Sequence, residues 1–558
     1  MPYNIDMYIR TTTRTNKDGS VVRYLQLAHN EWDSEAGRSR VRVLFNLGRE
    51  EKVDKEGLRR LVKSISRFLS PEEAARSQVE GVDGLRFISS KPMGGAWFLD
   101  CVWRQLGIDR VLGRLLKARE FQAPVERAIF AMVANRALSP MSKLAIEDWV
   151  EEEVLIPGLT EVAAHQLYRA MDFLLLASEE LQKEVFFNVA DLLNLEVDLL
   201  YFDTTSTYFE VEEEDEEKDG LRRRGHSKDH RPDLPQAVIG LAVTRTGIPV
   251  RCWVWPGNTA DMSVIKQVKD DLVGWRLGRV ITVVDRGFSS EENLRYLQRA
   301  GGHYIAGERL RTAKGATDVV SRAGRYKVVK ENMQVKEIIM GDGEARKRYI
   351  LVYNPEEAER DKANRERALS RIREELDRIG ELNGAPHTKA CCQLIAHETY
   401  GRYLKTDRLG QPRIDKAKVK AEELLDGKYL LSTSDDTLSP EDVALGYKQL
   451  LEVEDAFRML KSALDMRPVY HRLEERIRAH VLLCWMALLL IRVAETKTGK
   501  LWRYQRRHLE MMHAIEFGSN ATRVMQRTET TAIQKQLFAA VGIQEPPRIL
   551  DLYSPAKA

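Results

Sequence analysis

Features that mark secreted or membrane proteins are scarce in this chain of 558 residues. Its five cysteines are an odd number and lack the spacing of metal ligands, which excludes a disulfide framework and is typical of a reducing cytoplasm. The N-terminus has no signal-peptide core. The longest apolar run, at 481–491, is too short to cross a bilayer and predicts a buried helix. We therefore expect a cytoplasmic protein with no membrane partner.

Excess charge of one sign is also lacking. The formal net charge is +3, so total charge does not predict a nucleic-acid partner. The distribution is more informative, because 210–219 is acidic and 467–507 contains ten Lys and Arg against three Asp and Glu. With 43% hydrophobic and 31% charged residues, the chain has the composition of a globular protein of three or four domains.

The first third of the chain shows two patterns. Residues 7–15, 21–32 and 39–48 are β-rich, and 16–20 contains the Asp-Gly turn signal, so 1–50 is predicted to form a small antiparallel sheet. Helical periodicity follows in 51–195. This helical region is a candidate DNA-end-binding domain, although no specific helix-turn-helix is evident.

The pattern changes to strands alternating with helices in 196–310. One apolar strand ends at Asp203 and a nearly all-apolar strand ends at Asp285. A hairpin at 235–258 lies between them, and Asp261 and Ser289 are candidate caps of the helices that follow. This order predicts a mixed sheet with helices on its faces.

The remaining boundaries follow from composition. Residues 311–425 alternate strand-like segments with a charged helix and are assigned to a β-rich insertion. Residues 426–466 return to the core through a strand at 427–435 and a helix, and 467–558 form a basic helical C-terminal region. The predicted fold class is therefore a multidomain α+β and α/β protein.

The predicted helix Tyr447–Asp465 organises the rest of the chain. Its apolar residues recur at helical spacing, and Ser439-Pro440 is a typical start. At 100° per residue, Tyr447, Glu454, Arg458 and Lys461 share a narrow arc away from the apolar stripe. Taken alone, this face is adequately explained as a solvated surface with a Glu454–Arg458 pair.

Three carboxylates on these elements suggest chemistry. Asp203, Asp285 and Glu454 would converge if the mixed sheet is right, and three acidic oxygen donors suit Mg²⁺ or Mn²⁺. Two such ions can clamp an in-line phosphoryl displacement while cations hold the backbone phosphates.

Other motifs favour structural roles. His226 and His230 are four residues apart, but neighbouring Gly and Pro favour a loop over a zinc-binding helix. Asp233 is assigned to the same loop. Trp253 and Trp255 are expected in the core rather than stacked on bases.

These motifs resemble bacterial insertion-sequence transposases of the DDE type, in the branch with a Tyr-Arg-Glu-Lys signature. FDTTS around Asp203 and VVDRGF around Asp285 are similar to the first and second Asp motifs. Tyr447, Glu454 and Lys461 have the signature's spacing, and the resemblance runs from about 195 to 490. The signature Arg is replaced by Leu450, and Arg458 is our candidate for its phosphate contact.

The resemblance implies a ribonuclease-H-like core interrupted by a β-rich insertion. It implies Mg²⁺-dependent cleavage at terminal inverted repeats, joining to target DNA, and a homodimer in a synaptic complex acting at the bacterial nucleoid. By analogy Asp203, Asp285 and Glu454 are catalytic metal ligands, and Tyr447, Arg458, Lys461 and Arg286 contact DNA. Two alternatives stay open: a catalytically inactive DNA-binding descendant, and a metal-dependent nuclease without strand transfer.

Overall fold

The computed structural model describes residues 7–16, 21–33, 38–65, 86–117, 124–195, 198–217, 219–275, 277, 280–311, 316–343, 346–518 and 523–553. The chain divides into two compact units. The first holds residues 1–88, 517–523 and 553–558, and the second holds 89–516 and 524–552.

The first unit contains the small antiparallel sheet expected from the sequence. Its strands pair in the order β1-β2-β3. The predicted Asp-Gly turn lies mostly outside the described residues. The elements are β1 Met7–Thr15, β2 Val21–Asp33, β3 Arg38–Arg49, a 3₁₀ turn Glu50–Lys52 and α1 Lys55–Ile65.

In the second unit, residues 94–193 form a helical array, within the segment 51–195 predicted to be helical. The helix Val125–Leu138 is buried along most of its length, and it packs against the helix Ala164–Leu176 and the long helix Glu474–Thr498. The elements of this segment are β4 Arg86–Pro92, α2 Gly94–Gln105, α3 Ile108–Leu116, α4 Val125–Leu138, α5 Ala145–Asp148 with a π-helical turn Trp149–Glu153, α6 Ala164–Leu176 and α7 Ser178–Leu193.

The middle of the chain forms the sheet and its covering helices. These elements are β5 Leu199–Tyr208, β6 Gln236–Thr244, β7 Pro249–Pro256, α8 Asp261–Val273, β8 Ile281–Val284, α9 Glu291–Gln298, a 3₁₀ turn Arg299–Gly301, β9 His303–Glu308, α10 Ala316–Ser321, β10 Lys327–Lys330, β11 Met333–Met340 and β12 Lys347–Tyr353. They are followed by α11 Pro355–Gly380, α12 Gly384–Ala396, a 3₁₀ turn Gly401–Tyr403, β13 Leu404–Thr406, β14 Pro412–Ile414, α13 Lys416–Glu423 and β15 Lys428–Thr433.

The C-terminal part is mostly helical, as expected. Its elements are α14 Pro440–Lys448, α15 Leu451–Arg458 with a π-helical turn Met459–Ala463, α16 Glu474–Thr498, α17 Trp502–Leu509, β16 His513–Gly518, β17 Arg523–Arg527, α18 Ala532–Val541 and β18 Ile549–Tyr553. The three strands among them, which the sequence pattern does not predict, join β4 in a sheet of order β18-β17-β16-β4.

The predicted mixed sheet is confirmed and has nine strands. Its order is β10-β11-β12-β15-β9-β8-β5-β6-β7. The pairs β5–β8 and β8–β9 are parallel and the others are antiparallel. The strand expected to return at 427–435 is β15, which lies between β12 and β9.

The segment expected to be a β-rich insertion is different from the prediction. Strands β10, β11 and β12 belong to the central sheet, and between β12 and β15 the chain is mainly helical, with the short β13–β14 pair. The reason is visible in β12, whose residues Ile350 and Val352 face one hydrophobic cluster while Leu351 faces another. A strand buried on both faces belongs inside a sheet.

The longest apolar run is buried, as predicted. It lies in α16, which is long and apolar enough to span a membrane by composition, but most of that stretch is enclosed by the protein. Trp253 and Trp255 are also buried, with their rings stacked 6.2 Å apart on β7, which confirms the core assignment.

Candidate active site

The register of the parallel strands places Asp203 and Asp285 next to each other. The parallel pairing of β5 with β8 ends at Phe202–Val284, and that of β8 with β9 ends at Val284–Ala306. The next residue on each strand is therefore Asp203 on β5, Asp285 directly after β8, and Gly307 on β9. Parallel strands lie about 4.8 Å apart. The two carboxylates are therefore neighbours at the carboxyl end of the parallel part of the sheet.

Asp203 lies inside its strand, which corrects the expectation that the strand ends there. The β5 strand continues to Tyr208 because its antiparallel partner β6 extends beyond the parallel ladder with β8. Side-chain alternation puts Asp203 on the same face as Leu199 and Tyr201, which belong to the larger hydrophobic core. That face is covered by α14 and α15.

The predicted helix 447–465 is broken into two helices. Ser439 caps α14 by accepting a hydrogen bond from the N–H of Asp442, as its position suggested. Near Gln449 and Leu450 the backbone bonds shorten to i→i+3, which interrupts the α-helix. The break is attached to the sheet, since the Tyr201 hydroxyl donates to Oε1 of Gln449 at 2.9 Å.

One cavity of about 920 Å³ brings the three predicted carboxylates together. Asp203 and Asp285 line its sheet side and Glu454, on α15, lines the opposite side. The Glu454 side chain is exposed. Among the residues that the structure describes, no three Asp, Glu, His or Cys side chains are close enough to form a complete metal-binding cluster. The three acids thus share a cavity without forming a closed ligand set.

Asp203 is held in an electrostatically unfavourable place for a negative charge. Burial raises its pKa to about 6, and the carboxylates of Asp261 and Asp285 push in the same direction. The ammonium of Lys228 and the Thr204 N–H, which donates to Oδ1 at 2.7 Å, partly offset that increase in pKa. A divalent cation would relieve both the burial cost and the repulsion.

Tyr447 contacts a carboxylate of the site. Its hydroxyl donates to Oδ1 of Asp285 at 2.8 Å. Burial and the Asp285 carboxylate both raise the pKa of Tyr447, so the phenol stays protonated. Residue 307 is glycine, which leaves room for the Tyr447 side chain, since a Cβ at this position would lie 2.3 Å from the Tyr447 hydroxyl. The predicted DNA contact of Tyr447 stays a prediction, but its hydroxyl is already engaged.

Lys461 is also engaged with the protein. It donates to Oδ1 of Asp229 at 2.6 Å, and Arg467 pairs with the same oxygen. Both partners of the Lys461–Asp229 pair are largely buried. Its predicted contact with a phosphate would require this pair to open.

Arg458 does not line the cavity of the three carboxylates. Its guanidinium turns back to Asp455 at 2.8 Å and faces a separate cavity of about 830 Å³ that Arg492 and Arg506 also line. The structure therefore does not place Arg458 where the missing signature arginine was expected to act, and its role in DNA binding stays a prediction. Leu450, which stands at that signature position, does line the carboxylate cavity.

Four exposed cations line the cavity of the three carboxylates: Arg286, Arg309, Arg311 and Lys448. Arg311 pairs with Glu422. Within the described part of the chain, none of the other three forms an ion pair with an acidic side chain. The sequence pointed to Arg286 through its motif. Arg309 and Lys448 were missed, although Arg309 directly follows strand β9, and a cation at the end of a core strand is a usable signal. Lys448 is the last residue of α14.

Two residues assigned to helix caps act differently. Asp261 is the first residue of α8, but its carboxylate accepts a hydrogen bond from the Thr204 hydroxyl at 2.5 Å instead of capping the helix. Ser290, rather than Ser289, caps α9. The loop assigned to His226, His230 and Asp233 is a loop, and Asp233 pairs with Arg231.

Two family models match the chain. The family model described as the transposase DDE domain matches residues 206–490, just over half of the chain, and begins three residues after Asp203. The model of the IS1634 family transposase N-terminal domain matches residues 9–76. No curated protein matches the chain.

One solved structure shows a distant similarity. It is a cryo-EM structure of the piggyBac transposase synaptic complex with hairpin DNA, at 9% sequence identity and a TM-score of 0.35. The similarity covers 72% of this chain and 75% of that chain. It is too low to inform the fold or the function.

Proposed function

The chain belongs to the DDE transposases of insertion sequences, and we propose that it cuts the terminal inverted repeats of its element and joins them to target DNA. The observation that carries the proposal is the shared cavity of Asp203, Asp285 and Glu454, with two of the acids adjacent in strand register. The ribonuclease-H-like form of the core and the Tyr-Arg-Glu-Lys branch belong to the same proposal.

The donor set fits Mg²⁺ or Mn²⁺. Asp203, Asp285 and Glu454 would hold the metal through carboxylate oxygens, the ligands these ions prefer. When bound, the metal would activate the attacking water or 3′-hydroxyl and stabilise the leaving oxygen. Because Glu454 is exposed on the far side of the cavity, its side chain has the freedom to complete the ligand set.

The other residues of the cavity would place the DNA and the acids. Arg286, Arg309 and Lys448 are exposed around the carboxylates and would contact backbone phosphates. The hydroxyl of Tyr447 holds Asp285 in one orientation. In this account DNA is the substrate, a homodimer pairs two transposon ends, and the protein acts in the cytoplasm at the nucleoid.

Cleavage of the element's own ends tests the proposal. The substrate is a duplex that contains the DNA flanking the coding sequence, incubated with Mg²⁺ or Mn²⁺ and a target plasmid. We expect nicking at inverted repeats and joined products, and neither with Asp203→Asn or Asp285→Asn, which should still bind the duplex. Nicking without joining of pre-cut ends would indicate a nuclease, and binding without nicking would indicate an inactive descendant.

Salt dependence tests the role of the exposed cations. Each phosphate contact that is lost should reduce the slope of log affinity against log salt by about 0.9. Arg309→Gln should therefore give a shallower slope than wild type. Arg360→Gln is the matched control, because Arg360 is exposed on α11 and pairs with Glu356. Equal slopes for both variants would exclude Arg309 from the DNA contact.

A further inference from the structure

The loop between β5 and β6 places a cation beside Asp203. The ammonium of Lys228 donates to the Thr204 carbonyl and contacts the Thr204 hydroxyl, each at 2.8 Å. It lies 3.3 Å from Oδ2 of Asp261 and 3.9 Å from Oδ1 of Asp203. The Thr204 hydroxyl donates to the other oxygen of Asp261 at 2.5 Å. One ammonium therefore serves two carboxylates.

The loop around Lys228 is fixed by a buried ion cluster. Asp229, the next residue, has a side chain that is only 3% exposed and pairs with Lys461 and Arg467. The N–H of Lys228 donates to the Ser206 hydroxyl at 2.9 Å, which ties the loop to β5. Lys228 is therefore a fixed part of the site and not a mobile surface lysine. Lys461 thus helps to hold the loop that carries Lys228.

The charge of Lys228 opposes a metal at the same carboxylate. A divalent ion bound to Asp203 lies about 2.1 Å from its oxygen. With Lys228 3.9 Å from that oxygen, the ammonium and the metal would be within about 6 Å of each other, close enough for strong repulsion in a partly buried site. Arg309 and His226 line a small cavity of about 260 Å³ with Lys228 and Asp261, and among the described residues that line it Asp261 is the acidic one.

We propose that Lys228 is a built-in counter-ion of Asp203 and Asp261 that weakens divalent-metal binding in the DNA-free protein. The inference rests on the proposed function for the assignment of Asp203 as a metal ligand. It gives the loop 226–230 a role in the site, since the loop supplies the positive charge beside the carboxylates of Asp203 and Asp261. Metal then binds Asp203 only in competition with this lysine.

Mn²⁺ binding to the DNA-free full-length protein tests the inference. The dissociation constant can be measured by electron paramagnetic resonance for wild type and for Lys228→Gln, which removes the charge but keeps a group that can donate to the Thr204 carbonyl. We expect the constant to fall on the order of tenfold, because a repulsive charge is removed. Lys266→Gln is the control, since Lys266 is exposed on α8 and pairs with Glu292, and it should bind like wild type.

A measurement on the wild type covers the case in which Lys228→Gln does not fold. Acylation of lysines, read by mass spectrometry with and without Mn²⁺, should show more labelling of Lys228 when Mn²⁺ displaces it, with no change at Lys266. Unchanged labelling of Lys228, or a folded Lys228→Gln variant with unchanged or weaker Mn²⁺ binding, would overturn the inference.

The control with Asp203→Asn separates this inference from the proposed function. Wild-type Mn²⁺ binding that Asp203→Asn abolishes, together with unchanged binding in Lys228→Gln, overturns the role of Lys228 alone. Wild-type binding that Asp203→Asn leaves intact overturns both, because Asp203 would then not be a ligand.

Discussion

On the sheet side of the cavity, Asp203 and Asp285 each accept a hydrogen bond from the protein, whereas Glu454 on the helix side is exposed. The helix side is firmly attached at both ends of its segment, through Tyr447 to Asp285 and through Lys461 to buried Asp229. The backbone around Glu454 is therefore positioned, while its carboxylate is exposed. Strand register places two of the acids side by side, and the proposed function requires the third to join them at a bound cation.

The close approach of Gly307 to Tyr447 is the most sensitive point of the sheet side. In Gly307→Ala the new Cβ would lie 2.3 Å from the Tyr447 hydroxyl and 3.3 Å from the Arg286 nitrogen, so the Tyr447–Asp285 bond should break. We expect strand cleavage to fall about 100-fold, the cost of misplacing a reacting group by about 1 Å. A gel assay of end cleavage measures it. Gly113→Ala is the control, because a Cβ there meets nothing within 4 Å. Equal activity of the two variants would show that cleavage does not depend on the Tyr447–Asp285 hydrogen bond.

The attachment of Lys461 tests the firmness of the helix side. Lys461→Met leaves the buried carboxylate of Asp229 with Arg467 alone, so we expect the free energy of unfolding to fall by about 2 kcal/mol. Urea denaturation measures the change. Arg458 is exposed, so Arg458→Met should change the free energy of unfolding little. Weaker DNA binding with unchanged stability in Lys461→Met would instead support the phosphate contact expected from the signature.

The hydroxyl of Tyr447 should have a smaller effect. Tyr447→Phe keeps the ring but removes the donor to Asp285, and a hydrogen bond to a charged group contributes about 1.5 kcal/mol or more. We expect cleavage to slow about tenfold with DNA affinity unchanged, as measured by single-turnover cleavage and a binding titration. Reduced DNA affinity with an unchanged cleavage rate would show that Tyr447 contacts phosphate.

Much of this site is predictable because it depends on local pattern. Apolar runs that lead up to Asp203 and Asp285, with a hairpin and a helix between them, are enough to predict a mixed sheet and two adjacent acids. Helical spacing likewise finds Glu454 and the burial of its opposite face.

The rest depends on contacts between distant residues. Gln449, at the helix break, accepts a hydrogen bond from Tyr201, and Lys461 pairs with a loop residue more than 200 positions earlier. Neither of these two contacts can be predicted from the periodicity of the sequence. The position of Lys228 beside Asp203 was missed for the same reason, since the sequence around it has no regular pattern and the neighbouring Asp229 is held by Lys461.

If Asp203, Asp285 and Glu454 act as one metal-binding set, Glu454→Gln should remove cleavage without removing DNA binding. The substitution keeps the size of the side chain and removes one charged oxygen donor. Since a catalytic metal contributes several kcal/mol to the transition state, Mn²⁺-dependent cleavage of the element's ends should fall at least about a thousandfold while duplex binding stays within a few-fold of wild type. Cleavage by Glu454→Gln at close to the wild-type rate would show that Glu454 is not a ligand of the catalytic metal.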